Sequence, residues 1–294
     1  STHCISSAAS DVYKRQSLSP LMTSSIITLT TDFGTRDGYV GAMKGRILSI
    51  YPEAQILDLT HDLPPQDLHT TKSVLSRSLR EFTLPAVHIA VVDPGVGSGR
   101  QALAAETRIG YLVGPDNGIF SGILEAHPPS QIFRIAEEGP CWKKHTSFDG
   151  LHLFSPVGAF LAQTGKIKAL GQSLEAWVRL EEEKALPVPE GWSGKILGFD
   201  HFGNALTNLP GNRVLPGSQV RIHEQLLSGV EHYEQAASLE PAAFLINSDG
   251  MVELCVCLGS VKVKLSLEKN DEVFLLTKGA VSYTHLTLPT ICSV

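Results

Sequence analysis

From Ser25 apolar residues alternate between two spacings, and after Trp192 they keep to a third pattern. Ile26–Thr31 is a β-branched, apolar run that reads as a buried strand. Tyr39–Tyr51 places Val40, Met43, Ile47 and Ile50 on one helical stripe, and Pro52 stops it. Gln55–Thr60 reads as a second strand, Gln66–Phe82 as a second helix, and Val87–Val92 as a third strand, almost continuously apolar. Further strands are expected at Ala102–Glu106 and Gly110–Val113, and a helix from Pro156 to about Gln163. Strands and helices in alternation predict a parallel sheet with helices on its faces.

After Trp192 the texture changes. Short strands are expected at Lys195–Phe199, Ala205–Leu209, Gln219–His223, Ala243–Asn247, Met251–Cys257 and Glu272–Leu276, with turn residues between them and no long helical stripe. The charged run Glu181–Lys184 and the proline-containing Pro187–Gly191 read as an interdomain connection. The expected architecture is an α/β N-terminal domain with a mainly parallel sheet at 22–186, a linker at 187–191, and a smaller all-β, barrel-like C-terminal domain at 192–278. Residues 1–21 and 279–294 lack this periodicity. They are expected to be non-native flanks of translated adaptor or vector sequence, with Met22 as the native start.

A hydrophobic fraction of 43% with 18% charged residues is a globular composition. A formal net charge of -6 without any Lys/Arg-rich run argues against a nucleic-acid footprint. No apolar run approaches the roughly 20 residues that span a bilayer, so the expected partner is a small molecule, not a membrane. Cys255 and Cys257 lie two apart in one strand and point to opposite faces, and no second pair completes a zinc site. Reduced thiols in a cytoplasmic protein, with no metal and no cofactor, are the expectation.

Chemistry concentrates at the strand ends. The first strand runs into Asp32, the second into His61-Asp62, and the third into Asp93. Ligands of open parallel sheets bind outside the carboxyl ends of the strands. The loop Asp93-Pro-Gly-Val-Gly-Ser-Gly-Arg100 joins an acid and a base through three glycines. It reads either as a tight turn closed by a salt bridge or as a backbone that approaches a ligand closely. It matches neither phosphate-loop pattern and opens with an acid that repels phosphate. Asp32-Phe33-Gly34 carries a kinase-like triplet, but no nucleotide loop or H-R-D precedes it. An acid at that position can accept both hydroxyls of a ribose. Gly198–Asn204, taken alone, reads as a turn.

Six stretches in order carry a resemblance: T-L-T-T-D-F-G-x-x-D-G-Y-V-G-A-M-K-G (28–45), T-H-D-L-P-P-Q-D (60–67), V-H-I-A-V-V-D-P-G-V-G (87–97), P-D-N-G (115–118), F-G-N-A-L-T-N (202–208) and N-S-D-G-M-V-E-L (247–254). On these the chain resembles the S-adenosylmethionine hydroxide adenosyltransferase (hydrolase) family, which is related to the fluorinases and chlorinases. The resemblance implies hydrolysis of S-adenosylmethionine to adenosine and methionine, and a homotrimer with active sites between subunits. It implies that Asp32 holds the ribose hydroxyls with Gln66 beside them, and that Asp93 and Arg100 hold the attacking water. It implies that Asp37 and Asp200 meet the methionine amino group. Phe202 and Asn204 match positions around adenine and methionine, Ser248 one near the methionine carboxylate, and Glu253 one on the adenosine side.

One segment departs from the family. Where F-H-G-R-D-x-F is usual, this chain has Phe148-Asp149-Gly150-Leu151-His152-Leu153-Phe154. Asp149 stands at the position of the water-site histidine, and a histidine, His152, appears three residues later. Three readings stay open: Asp149 takes over, His152 reaches the water, or the site is impaired. The alternatives to hydrolysis are a non-catalytic S-adenosylmethionine or adenosine binder, suggested by that segment, and a halogenase. The carboxylate of Asp93 disfavours a halide beside it, and the fluorinase insertion between Arg100 and Tyr111 is absent.

Overall fold

A computed structural model of the chain describes residues 24–144 and 147–277. The expected flanks, with Cys4 and Cys292, lie outside the described residues. The described residues form two compact units that divide between Leu180 and Glu181.

The first unit holds a sheet of seven strands in the order β2-β1-β3-β5-β4-β6-β7. These are β1 (Ile26–Thr31), β2 (Gln55–Thr60), β3 (Ala86–Val91), β4 (Ala102–Thr107), β5 (Gly110–Pro115), β6 (Gln131–Ile135) and β7 (Gly171–Ser173). β2, β1, β3 and β5 pair in parallel, while β4 and β7 run against their neighbours. Helices cover both faces, as a buried parallel sheet requires. On one face α1 (Tyr39–Ile50) and α4 (Ser155–Thr164) pack Met43, Ile47, Val157 and Leu161 against Ile27, Leu29, Val87 and Ile89. On the other, α2 (Leu68–Leu79) and α3 (Ser121–Ala126) pack Leu75, Leu79 and Ile123 against Ala90, Leu103 and Leu112.

Helix α2 starts later than its apolar spacing suggests. Asp67 caps it, its side chain accepting from Thr70 N at 3.0 Å and Thr70 Oγ1 at 2.8 Å. Gln66 just before it adopts φ +64°, a left-handed backbone that a helix interior does not allow. Helix α4 begins at Ser155, one residue before its expected start at Pro156, and a π-helical turn, Gly150–Phe154, leads into it.

The strand order reverses direction at β1, which has β2 on one side and β3 on the other. That is the switch point at which open α/β sheets leave a crevice. Asp32, Asp93 and Asp116 follow the carboxyl ends of three adjacent strands there, β1, β3 and β5.

The second unit is a closed barrel of seven strands, β9 (Gly191–Phe199), β10 (Ala205–Pro210), β14 (Met251–Cys255), β13 (Ala243–Ile246), β12 (Gln225–Gly229), β11 (Gln219–Ile222) and β15 (Glu272–Leu276), which returns to β9. Ile196, Val220, Leu227, Phe244, Leu254 and Val273 fill its core. The stretch expected as a linker is built in as well: β8 (Leu186–Val188) pairs with Gly191–Ser193 of β9. Proline is tolerated there because β8 is an edge strand that makes few ladder bonds. A single-turn helix, α5 (Val261–Lys264), precedes β15.

Candidate active site

The glycine loop after β3 closes on itself. Gly95 N donates to Asp93 Oδ1 at 3.2 Å, Ser98 Oγ to Gly95 O at 2.6 Å, and Arg100 N to Ser98 Oγ at 3.2 Å. Gly97 makes the turn possible at φ +77°. Arg100 is thereby returned to Asp93. Its Nε donates to Asp93 Oδ1 at 3.1 Å, and its Nη2 donates to Asp93 Oδ2 and, at 2.8 Å, to Asp149 Oδ2. The guanidinium also lies 5.4 Å from the ring centroid of Phe154, a cation–π contact. The side chains of Arg100, Asp93 and Asp149 are only 8%, 5% and 1% exposed. One guanidinium thus bridges two carboxylates away from bulk water. Burial raises the Asp93 pKa; the Arg100 charge and hydrogen bond oppose this, and the Asp149 charge adds to it.

Asp149 is delivered by the π turn. A Cβ on Gly150 would lie 3.0 Å from Phe148 and 3.3 Å from Met43 and Phe33, tighter than ordinary contact, so glycine suits the close packing of this segment. The wider turn leaves Asp149 buried and His152 exposed, with the His152 ring 6.4 Å from that of Phe148. π turns recur at functional sites because they re-aim side chains in this way. The structure brings Asp149, and not His152, to Arg100.

Beside this cluster, Asp32 accepts from Gln66 N at 2.8 Å through Oδ2. The strained backbone of Gln66 therefore orients the acid, while its side chain is exposed. His61 ties the ends of β1 and β2 together: Thr31 Oγ1 is 2.8 Å from His61 Nδ1, Asp58 lies 3.2 Å from Nε2, and Gly34 N donates to His61 O at 2.8 Å. Asp37 is exposed and Asp62 likewise.

Sequence reasoning missed several contributors. Phe33, Tyr39 and Phe148 form an edge-to-face cluster with centroids 5.2–6.1 Å apart. Asn117 Nδ2 donates to Val92 O at 2.9 Å and fixes the residue that precedes Asp93. Asp116 accepts from Val178 N at 2.9 Å, and burial raises its pKa against the pull of that bond and of Arg100. The P-D-N-G stretch was visible as a motif, but nothing in its spacing pointed to Val92 or Arg100.

In the second unit the candidates form two groups. Asp200 accepts from Phe202 N at 2.9 Å, Asn204 N at 2.8 Å and Asn204 Nδ2 at 2.9 Å, which shapes the β9–β10 loop. That loop presents Phe202, 74% exposed, while Asn204 is buried. Glu253 is buried too, with Tyr233 Oη donating to Oε1 at 2.7 Å and Asn247 Nδ2 to Oε2 at 3.2 Å. Burial, then the Glu253 carboxylate, drive the Tyr233 pKa upwards. Asn247 Oδ1 in turn accepts from Asp249 N and Met251 N at 3.0 and 3.1 Å, closing the turn that exposes Ser248. Glu253 thus supports the Ser248 turn through Oε2 and Asn247, while its Oε1 holds Tyr233.

Residues 27–171 match the model of the SAM hydroxide adenosyltransferase N-terminal domain, and residues 194–274 match that of its C-terminal domain. The chain belongs to the SAM hydroxide adenosyltransferase family. A relative in Thermus thermophilus, named (R)-S-adenosyl-L-methionine hydrolase, is 35% identical over 84% of this chain and 97% of its own length. One of the same name in Methanocaldococcus jannaschii is 32% identical over 85% and 95%. A fluorinase of Actinoplanes sp. stands further off, 25% identical over 63% of this chain and 71% of its own. The crystal structure of an uncharacterized conserved protein from Thermotoga maritima superposes with a TM-score of 0.77, at 29% identity, over 85% of this chain and 99% of that one. No described helix is long and apolar enough to cross a membrane.

Proposed function

We propose that this chain hydrolyses S-adenosyl-L-methionine to adenosine and L-methionine by attack of water at ribose C5′. The observation that carries this reading is the buried Asp93–Arg100 pair at the sheet's switch point, in a chain whose two units match both domains of the hydrolase family. The sulfonium already activates C5′, and methionine leaves as a neutral thioether. What remains is to hold the nucleophile in line with the C5′–S bond, an orientation worth roughly 7–11 kcal/mol in favourable cases. Asp93 accepts a hydrogen bond from the water and orients it. Arg100 stays protonated, so it anchors Asp93 and favours developing hydroxide instead of acting as a base. The side-chain exposures of 8% and 5% make these interactions stronger than they would be in bulk water.

The remaining roles follow the resemblance. Asp32 takes the ribose hydroxyls, with Gln66 beside it. Asp37 and Asp200 meet the methionine amino group, Asp200 through Oδ2, which its own loop engages only once. Phe202 and Asn204 surround adenine and methionine, and Ser248 takes the methionine carboxylate. Glu253, on the adenosine side, acts through Asn247. Water and substrate suffice, without cofactor or metal. The protein is a cytoplasmic homotrimer whose sites are completed by a neighbouring subunit; sedimentation tests the assembly. The relatives' names direct the assay to the (R) sulfonium epimer as well as the (S) form.

Incubation of the purified protein with each epimer, followed by chromatography, is expected to yield adenosine and methionine in equal amounts. A halide-dependent 5′-halo product would establish the halogenase instead, and binding without turnover would establish a binder. Asp93→Ala is expected to lose most turnover and keep ligand binding.

A further inference from the structure

Asp149 poses a problem that the family pattern does not answer. Its Oδ2 accepts from Arg100 at 2.8 Å, yet its Oδ1 is buried and meets no hydrogen-bond donor among the described residues. An unpaired carboxylate oxygen in so dry a position costs about 1–3 kcal/mol or more, so a partner is missing. A water or hydroxyl is the partner that the chemistry supplies. Among the described residues, the charged groups around Asp149 come from separate elements. Arg100 and Asp93 come from the loop between β3 and β4, and Asp116 after β5 acts through Arg100. His152 shares its segment and points outward. Met43 and Phe33, packed against the neighbouring Gly150, are uncharged.

We infer that Asp149 Oδ1 holds the attacking water and takes its proton. The inference rests on the hydrolase reading above and deepens it. In the step, the water oxygen bonds to C5′, and the C5′–S bonding pair returns to sulfur as methionine leaves. One water proton stays on the new 5′-hydroxyl, and the other passes to Asp149, which releases it to solvent. The charges balance throughout. Two carboxylates against one guanidinium leave one negative charge, which opposes the sulfonium before reaction. Afterwards Asp149 is protonated and the sulfur neutral. The same negative charge repels a halide, so Asp149 adds to Asp93 in selecting water. Burial and the Asp149 charge raise the Asp93 pKa against the pull of Arg100.

The test uses the full chain and its Asp149→Asn variant, which keeps the shape of the residue and its bond to Arg100 through the amide oxygen. Asp149→Asn is expected to hydrolyse S-adenosylmethionine at least about 100-fold more slowly, the usual contribution of a positioned general base. The parent chain should prefer S-adenosylmethionine over its neutral thioether analogue, S-adenosylhomocysteine, in calorimetric binding measured before turnover. The variant should lose about tenfold of that preference, and its affinity for the neutral analogue should hold. A merely structural Asp149 would weaken both ligands alike. The parent's kcat/KM should fall on acidification with a limb that moves in Asp149→Asn. Hydrolysis by Asp149→Asn within about threefold of the parent would overturn the inference, as would a loss that falls on His152→Ala in its place. A parent chain that makes no adenosine from either epimer would overturn the hydrolase reading itself, and this inference with it.

Discussion

Arg100→Met removes the one cation from between two buried carboxylates while keeping an apolar stem against Phe154. Asp93 and Asp149, 5% and 1% exposed, then face each other without a counter-charge. Removal of one partner of a buried pair typically costs about 3–5 kcal/mol. The structure gives a second route to that size. The cheapest relief is for one carboxylate to bind a proton, which at about pH 7 costs about 4 kcal/mol for a group whose unfolded pKa is about 3.9. At about pH 5 the same proton costs about 1.5 kcal/mol. In the variant the folded-state carboxylate pKa is raised above its unfolded value. Its stability is therefore greatest in acid and is lost as pH rises through the folded pKa. Urea unfolding of parent and variant, followed by the fluorescence of the buried Trp142, should show a deficit near 4 kcal/mol at about pH 7 that shrinks by more than half at about pH 5. A deficit below about 1 kcal/mol at neutral pH, or one of equal size at both pH values, would refute the reasoning.

Three further outcomes are expected. His88 is buried in β3 with Thr28 Oγ1 at 2.9 Å, and burial lowers its pKa from 6.5 to about 4. It contributes stability above pH 6.5 that is lost as pH falls through about 4, roughly 3 kcal/mol in all, and His88→Gln should flatten that slope in acid unfolding curves. Asp32→Asn should raise KM for S-adenosylmethionine roughly tenfold or more, the worth of a charged hydrogen bond to the ribose, and steady-state kinetics checks it. Tyr233→Phe frees Glu253 and loosens Asn247 under the Ser248 turn, so KM should rise several-fold while kcat holds.

Much of the first unit was legible because β1 and β3 are buried on both faces and so nearly continuously apolar. The acids at their ends followed directly, since topology alone puts them at the crevice. Strand β12 was not legible: Gln225 and Leu226 are exposed, and only Leu227 reaches the core. The prolines of Pro187–Gly191 suggested a linker because proline signals a break, and an edge strand tolerates it equally well. The choice between Asp149 and His152 lay beyond spacing arguments. A regular helix puts residues three apart on one face, but the π turn that follows Asp149 breaks that relation. Asn117 and Asp116 reach Val92 and Val178 across the fold, and no local pattern encodes such partners.

Hydrolysis in water enriched in oxygen-18 tests the central claim most directly. If Asp93, Arg100 and Asp149 aim a water at C5′, the adenosine formed carries one solvent oxygen, at its 5′-hydroxyl, and methionine carries none. Adenosine without the label, or substrate returned unchanged under turnover conditions, would contradict it.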